Sequence, residues 1–271
     1  MNTRTILPSF GKLLSGLVLS SRRPCNIAAF HLGRCGSRVL GDLLKQHTRI
    51  VWDGELFSPE RLNGIASRWP RLTGDRMKIL RLRMAMAGRS CYGFETQPTQ
   101  IQGIDLTVPD YVQQLEDLGF DRFILLVRKN YLRRIVSMKV GRQSSRWHLT
   151  SGESPSLVRV KLEIDDLSLG WGPDTFKMPL IAHLQRTDQS VRQLKEFLSD
   201  RALLSLTYED DIQQRPEIAF RRVCDFAGVD DQPITVRFEK TNPFDLADVL
   251  TNFADVERTL RGTSFEWMLY S

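Results

Sequence analysis

Five consecutive residues, Gly33-Arg34-Cys35-Gly36-Ser37, put two glycines, a guanidinium and a hydroxyl directly ahead of a helical pattern. Backbone N–H groups at a helix start, with the positive end of the helix dipole, form a ready site for a phosphate-like anion. Gly33 and Gly36 permit the tight backbone such a turn needs, Arg34 supplies fixed charge and Ser37 a hydroxyl. A plain strand-to-helix turn with an exposed arginine is the competing reading of this stretch. A Walker A loop is excluded, because that motif requires Lys where Gly36 stands. The apolar run Phe123 to Val127 ends in Arg128, where a nucleotide triphosphatase usually places a carboxylate for magnesium. A metal-dependent kinase or triphosphatase is therefore the lesser reading.

The elements that must position these groups follow from hydrophobic periodicity. Asn26 to His31 reads as a strand, and Val39, Leu40, Leu43 and Leu44 recur at the spacing of one helix face, with Ser37 as the expected N-cap. Phe123 to Val127 reads as a strand covered on both faces and Leu203 to Thr207 as a further strand, each followed by a helical pattern, the last beginning near Pro216. Helices are expected at about Arg76 to Ala87, Tyr111 to Leu118 and Leu180 to Leu198. Strands alternating with helices predict an α/β fold, a parallel sheet with helices on both faces. Gly141 to Pro179 is irregular, with only Leu157 to Ile164 alternating like a strand, and reads as a lid or acceptor segment.

With 271 residues, 41% of them hydrophobic and 26% charged, the chain is composed like an ordinary globular protein and not a disordered one. No run reaches the roughly 20 apolar residues of a membrane span. The apolar run Leu13 to Ser20 lacks the small-residue cleavage site of a signal peptide. Residues 1–24 are therefore expected to form an arm that packs on the rest or touches a membrane surface, ahead of a single domain over 25–271. An excess of 38 Lys and Arg over 32 Asp and Glu favours an anionic ligand. The mild case against nucleic acid is the lack of a basic stripe interleaved with aromatics. Cys25, Cys35, Cys91 and Cys224 lie far apart without a C-x-x-C pair, which points away from a zinc site or dense disulfides and towards a reducing cytoplasm.

Four stretches, in order from residue 26 to the end, resemble sulfotransferases that use 3'-phosphoadenylyl sulfate (PAPS), whose fold is like that of P-loop nucleotide kinases. AFHLGRCGSRVLGDLLKQHTRIVWDGELF is similar to the family's 5'-phosphosulfate loop and following helix, closest in style to the bacterial carbohydrate branch and the tyrosylprotein enzymes. ILLVRKNYLRRIVSMKVGR resembles its 3'-phosphate site, in which a strand-end Arg and a helical Ser grip the phosphate. LSLTYEDD with PEIAFRRVCDFAGV, and the ending KTNPFDLADVLTNFADVERTLRGTSFEWML, resemble its later strand and C-terminus. Cys35 stands where the family commonly has Ser, and Arg38 where it has Thr or a small residue.

The resemblance implies that Gly33, Arg34, Cys35, Gly36, Ser37 and Arg38 hold the phosphosulfate of PAPS, with Arg34 also stabilising the leaving oxygen. It further implies that Arg128 and Ser137 bind the 3'-phosphate, with Lys129 the alternative cation because Lys129 to Ser137 has the family's usual spacing of eight. Lys240-Thr241 would lie near the nucleotide, and no metal would be needed. Glu55 occupies the place of the family's catalytic Glu and would deprotonate a hydroxyl of a carbohydrate, glycolipid or other small acceptor, Asp53 and Glu60 being the nearest substitutes. His31 reads as hydrogen-bonded structure, and Trp147 and His148 as candidates for acceptor contact. Arg142 and Arg146 could serve the cofactor side. Tyr208, Glu209 and Asp210 read as serving the fold, and Arg133-Arg134 as a solvated helix face.

Overall fold

Short apolar runs build a five-stranded sheet in the computed structural model, which describes residues 23–68, 74–102, 106–168 and 177–271. Strands β1 (Asn26–His31), β2 (Ile50–Glu55), β3 (Cys91–Thr96), β4 (Arg122–Val127) and β5 (Leu203–Thr207) stand in the order β2-β3-β1-β4-β5. Every pairing is parallel. Side chains alternate between two apolar layers, as the period of a strand requires. Ile27, Ala29, Ile124 and Leu126 face the layer of helices α1 (Ser37–Gln46) and α8 (Glu217–Ala227). Ala28, Phe30, Phe123 and Leu125 face the layer of α3 (Arg76–Ala87) and α5 (Val108–Asp117). The expected α/β class with helices on both faces is thus observed.

Between β2 and β4 the chain also forms α2 (Pro59–Arg68) and α4 (Pro98–Gln102). Beyond β4, α6 (Tyr131–Ser144) and α7 (Leu180–Phe197) join α9 (Leu246–Val249) and α10 (Phe253–Leu260) around a third apolar cluster that includes Leu132, Leu184, Val249 and Leu260. The strand order places the site. From β1 the chain leaves towards β2 on one side, and from β4 it leaves towards β5 on the other. The chain therefore diverges between the carboxyl ends of β1 and β4, the position where open α/β sheets bind ligands. The turn of residues 32–37 follows β1 there, and Arg128 follows β4.

Several expectations are corrected. Gly36, not Ser37, is the N-cap of α1; it holds φ 85°, and Ser37 is the first helical residue. Leu157 to Ile164 is not a strand: Val160 bridges Leu250, and Val158, Val160, Leu162 and Ile164 dock on the third cluster while Leu157 stays exposed. Strands β2 and β3 are additional to those read from the sequence. Cys25 and Cys91 form a disulfide, with Cα atoms 5.1 Å apart, because β1 and β3 pair in parallel with Asn26 opposite Tyr92. Disulfides persist in oxidising surroundings, so this bond runs against the expected reducing cytoplasm.

Within the irregular segment, Leu149–Thr150 pairs with Phe238–Glu239 and Leu167–Ser168 with Lys177–Met178. The arm expected at 1–24 lies outside the described residues except for Arg23 and Pro24. Arg23 Nη1 donates to Asn26 Oδ1 at 2.8 Å and its Nη2 to the Gly88 carbonyl at 3.0 Å. Among the described residues no helix is long and apolar enough to cross a membrane.

Candidate functional site

The turn after β1 is held in left-handed backbone at Gly33 (φ 74°), Arg34 (φ 54°) and Gly36 (φ 85°). A Cβ at Gly36 would lie 2.8 Å from Ile212 Cγ2, so glycine is required there for space as well as for φ. The turn buries Cys35 completely and sends the Arg34 side chain to α6. Arg34 Nε and Nη2 donate to Ser137 Oγ at 3.0 and 2.8 Å, Nη2 to Thr241 Oγ1 at 3.1 Å and Nη1 to the Trp147 carbonyl at 2.8 Å. Its guanidinium also stacks 5.6 Å from the centre of the Trp147 ring. Residues far apart in the chain, 34, 137, 147 and 241, thus meet at one point.

Two more arginines close on the same turn. Arg128, at the end of β4, is buried, donates from Nη1 to the Arg34 carbonyl at 3.4 Å and stacks 4.5 Å from the Tyr208 ring centre. Arg134 Nη1 donates to the Leu32 carbonyl at 3.1 Å, and the Nε atoms of both Arg128 and Arg134 are enclosed without a hydrogen bond. Arg134 is therefore not on a solvated helix face, nor is Arg133, whose Nε donates to the Ser271 carbonyl and Nη1 to the Phe244 carbonyl. Burial lowers the pKa of Arg34, with Arg128 adding to the effect, and burial likewise lowers those of Arg128 and Arg134. Lys240 is lowered by burial and then by Arg133 and Arg128. The hydrogen-bond acceptors of Arg34, Arg128 and Arg134 are hydroxyls and carbonyls, and the nearest carboxylate to Arg128 is Glu209, 3.9 Å away. Clustered, half-desolvated guanidiniums on neutral acceptors are what a multiply charged anion offsets.

Lys129 is turned elsewhere. Its Nζ pairs with Asp210 at 2.5 Å, while Glu209 accepts the backbone N–H groups of Lys129 and Asn130 at 2.9 and 3.1 Å at the start of α6. Glu209 and Asp210 therefore serve the fold, as expected, whereas Tyr208 also forms the floor under Arg128. Arg38 lies over the Phe238 ring, and Arg146 pairs with Glu153. Partial burial, with Arg38 and Arg34, pushes His148 down to about 4.

On the other side of the turn stands a group of carboxylates. Glu55 ends β2 with its side chain 36% exposed, and Gln100 Nε2 donates to its Oε2 at 3.4 Å. Glu55 Oε1 lies 3.8 Å from His31 Nε2, and the buried Glu95 Oε2 lies 3.3 Å from the same nitrogen. His31 Nδ1 accepts the Gly33 N–H at 3.0 Å, so a single imidazole touches both the turn and the carboxylates. Glu95 Oε1 takes the indole N–H of Trp52 at 2.7 Å. Burial raises the pKa of Glu95, but His31, Trp52 and Lys45 outweigh it and hold the carboxyl below its usual value. For His31, burial works against charge, while Cys35 and Glu95 outweigh it and raise the pKa well above the ordinary value. A second proton on Nδ1 would set two donors face to face, so charging the ring must release Gly33.

Of the two substitutes for Glu55, one is otherwise engaged. Asp53 binds Arg83, accepts from the Tyr92 hydroxyl at 2.8 Å and sits 3.6 Å from Arg61, while Glu60 is exposed on the first turn of α2. Ligand atoms of His31, Glu55 and Glu95 lie within 4.8 Å of one another, a spacing that suits a cation. The Gly33 N–H on Nδ1 nevertheless leaves the ring proton on Nε2, which makes that atom a donor and not a ligand. Glu95, Trp52 and Arg134 are the site's additions to what the sequence singled out. Comparison with protein-family models, curated proteins and solved structures gives no match for this chain. Fold and site together define an α/β protein in which three arginines gather around the turn after β1 and a partly exposed carboxylate stands on that turn's other side.

Proposed function

We propose that the protein is a PAPS-dependent sulfotransferase with the fold of the P-loop nucleotide-kinase-like enzymes, acting on a hydroxyl of a carbohydrate, glycolipid or other small acceptor. One observation carries the reading: Arg34, Arg128 and Ser137 converge on the turn that opens α1, and Glu55 faces solvent on the turn's far side, joined to it through His31. The turn's N–H groups and Arg34 would hold the phosphosulfate, and Arg128 with Ser137 and Lys240 the 3'-phosphate. Glu55 takes the acceptor's proton while its oxygen attacks sulfur in line, and charge developing on the leaving oxygen is met by Arg34. The position where a triphosphatase presents a carboxylate to magnesium holds Arg128 instead, which favours a sulfuryl over a phosphoryl donor.

Calorimetric titration with adenosine 3',5'-bisphosphate, beside ATP with magnesium, tests this reading. Micromolar binding of the bisphosphate that is indifferent to magnesium is expected. Glu55→Gln should keep that affinity within about twofold and lower donor turnover by at least about 100-fold, the scale of a lost general base. Binding of ATP with magnesium in place of the bisphosphate would overturn it.

A further inference from the structure

The His31 imidazole carries its Nε2 proton into a closed space between two carboxylates, 3.3 Å from Glu95 Oε2 and 3.8 Å from Glu55 Oε1, and is aligned with neither. The two acids differ in freedom. Glu95 is buried and fixed by the Trp52 indole, and α1 packs so closely that a Cβ at Gly41 would lie 2.6 Å from Glu95 Oε1. Glu55 is the member of the trio that reaches solvent, and a small rotation of its side chain brings Oε1 within hydrogen-bond range of Nε2. In the neutral ring Gly33 on Nδ1 fixes the orientation of the imidazole. Nε2 bears a proton whether the ring is neutral with Gly33 on Nδ1 or doubly protonated, so it can only donate, never accept, in either state.

We propose that His31 is a positioning residue for Glu55, with Glu95 as its anchor: the imidazole N–H orients the solvent-facing carboxylate towards the acceptor. The proposal rests on the reading of Glu55 as the base. In the step itself the acceptor's O–H proton passes to Glu55, a bond forms between its oxygen and sulfur, and the bond from sulfur to the donor's phosphate oxygen breaks with the electron pair leaving on that oxygen. His31 keeps its proton throughout. The groups that face the ring are Glu55 from β2, Glu95 from β3 and Cys35 from the turn, with Lys45 of α1 acting on Glu95.

Two measurements on the full chain decide this. The first is nitrogen-15 NMR of histidine-labelled protein, with His31 assigned by the signal lost in His31→Gln. A proton on Nε2 whose resonance moves on Glu55→Gln supports the contact; a proton-free Nε2, or a resonance indifferent to Glu55→Gln, overturns it whatever reaction the protein performs. The second is the kcat and KM of PAPS hydrolysis with water as acceptor. A base held out of line loses orientation, not substrate binding, so His31→Leu should lower kcat about tenfold with KM little changed, and His31→Gln should restore it. An unchanged kcat in His31→Leu, with bisphosphate affinity retained, removes His31 from the role. Wild-type protein that neither binds the bisphosphate nor hydrolyses PAPS defeats the sulfotransferase reading and with it the role of His31 towards a base.

Discussion

Arg128 and Lys129 are neighbours in sequence with opposite surroundings. The first is buried under the turn with an unbonded Nε, while the second makes an exposed pair with Asp210. Exposed pairs contribute about 0–1 kcal/mol, whereas a hydrogen bond to a charged group contributes about 1.5–3 kcal/mol. Arg128→Met should therefore weaken adenosine 3',5'-bisphosphate binding roughly 10- to 100-fold. Lys129→Met should change it less than about threefold. Calorimetry on the two variants checks this, and the reverse order would give the 3'-phosphate to Lys129. Arg34 and Ser37 stand out in the sequence because a turn and its following helix are contiguous there, whereas Glu55 is singled out only through the resemblance to sulfotransferases. Glu95 is hidden, since only the pairing of β2 with β3, which sets Glu55 opposite Glu95 past an irregularity after Trp52, brings the two acids together. The burial of Arg134 is equally unreadable from its place beside Arg133 in a helical pattern.

At the scale of elements, the strands legible in the sequence are those that need nothing but apolar burial: β1, β4 and β5. Strands β2 and β3 carry Asp53, Gly54, Gly93 and Glu95, residues that argue against a buried strand until their partners are known. Arg83 neutralises Asp53, His31 and Trp52 satisfy Glu95, and Gly93 leaves room for the Trp52 ring, which a Cβ would strike. Leu157 to Ile164 misled for the converse reason, since alternation lets a segment dock on helices as readily as pair in a sheet. The Cys25–Cys91 bond ties the starts of β1 and β3, 66 residues apart in the chain. A cross-link closing so long a loop contributes about 2–4 kcal/mol. Thermal scanning should show the melting temperature falling by several degrees on reduction, and Cys25→Ala/Cys91→Ala should melt at the reduced value with no further response to reductant. A wild-type melting temperature unchanged by reduction would show that the sheet does not depend on this bond.

Across the whole molecule, part of the basic excess lies on α6, which carries Arg133, Arg134, Lys139 and Arg142 and no acidic residue. His183, on α7, shares that region: burial, then Arg134 and Arg186, push its pKa down to about 4, and its Nε2 is enclosed without a hydrogen bond. An ordinary histidine takes up its proton near pH 6.5, so between pH 6.5 and 4 the unfolded chain binds a proton at this position that the folded chain refuses. A depressed histidine pKa therefore withdraws stability as pH falls through that window and leaves stability unchanged above it. Asp53 and Glu95 have lowered pKa values too, but as carboxylates they withdraw stability only as pH falls below the unfolded carboxylate range, near 4. The two effects separate by pH. In urea titrations the drop in midpoint from pH 7 to pH 4.5 should be smaller for His183→Gln than for wild type, with the two proteins close to each other at pH 7. An equal drop would mean that His183 takes up its proton in the folded protein without strain. The packing of α6 on α7 would then tolerate more positive charge than the enclosed arginines imply.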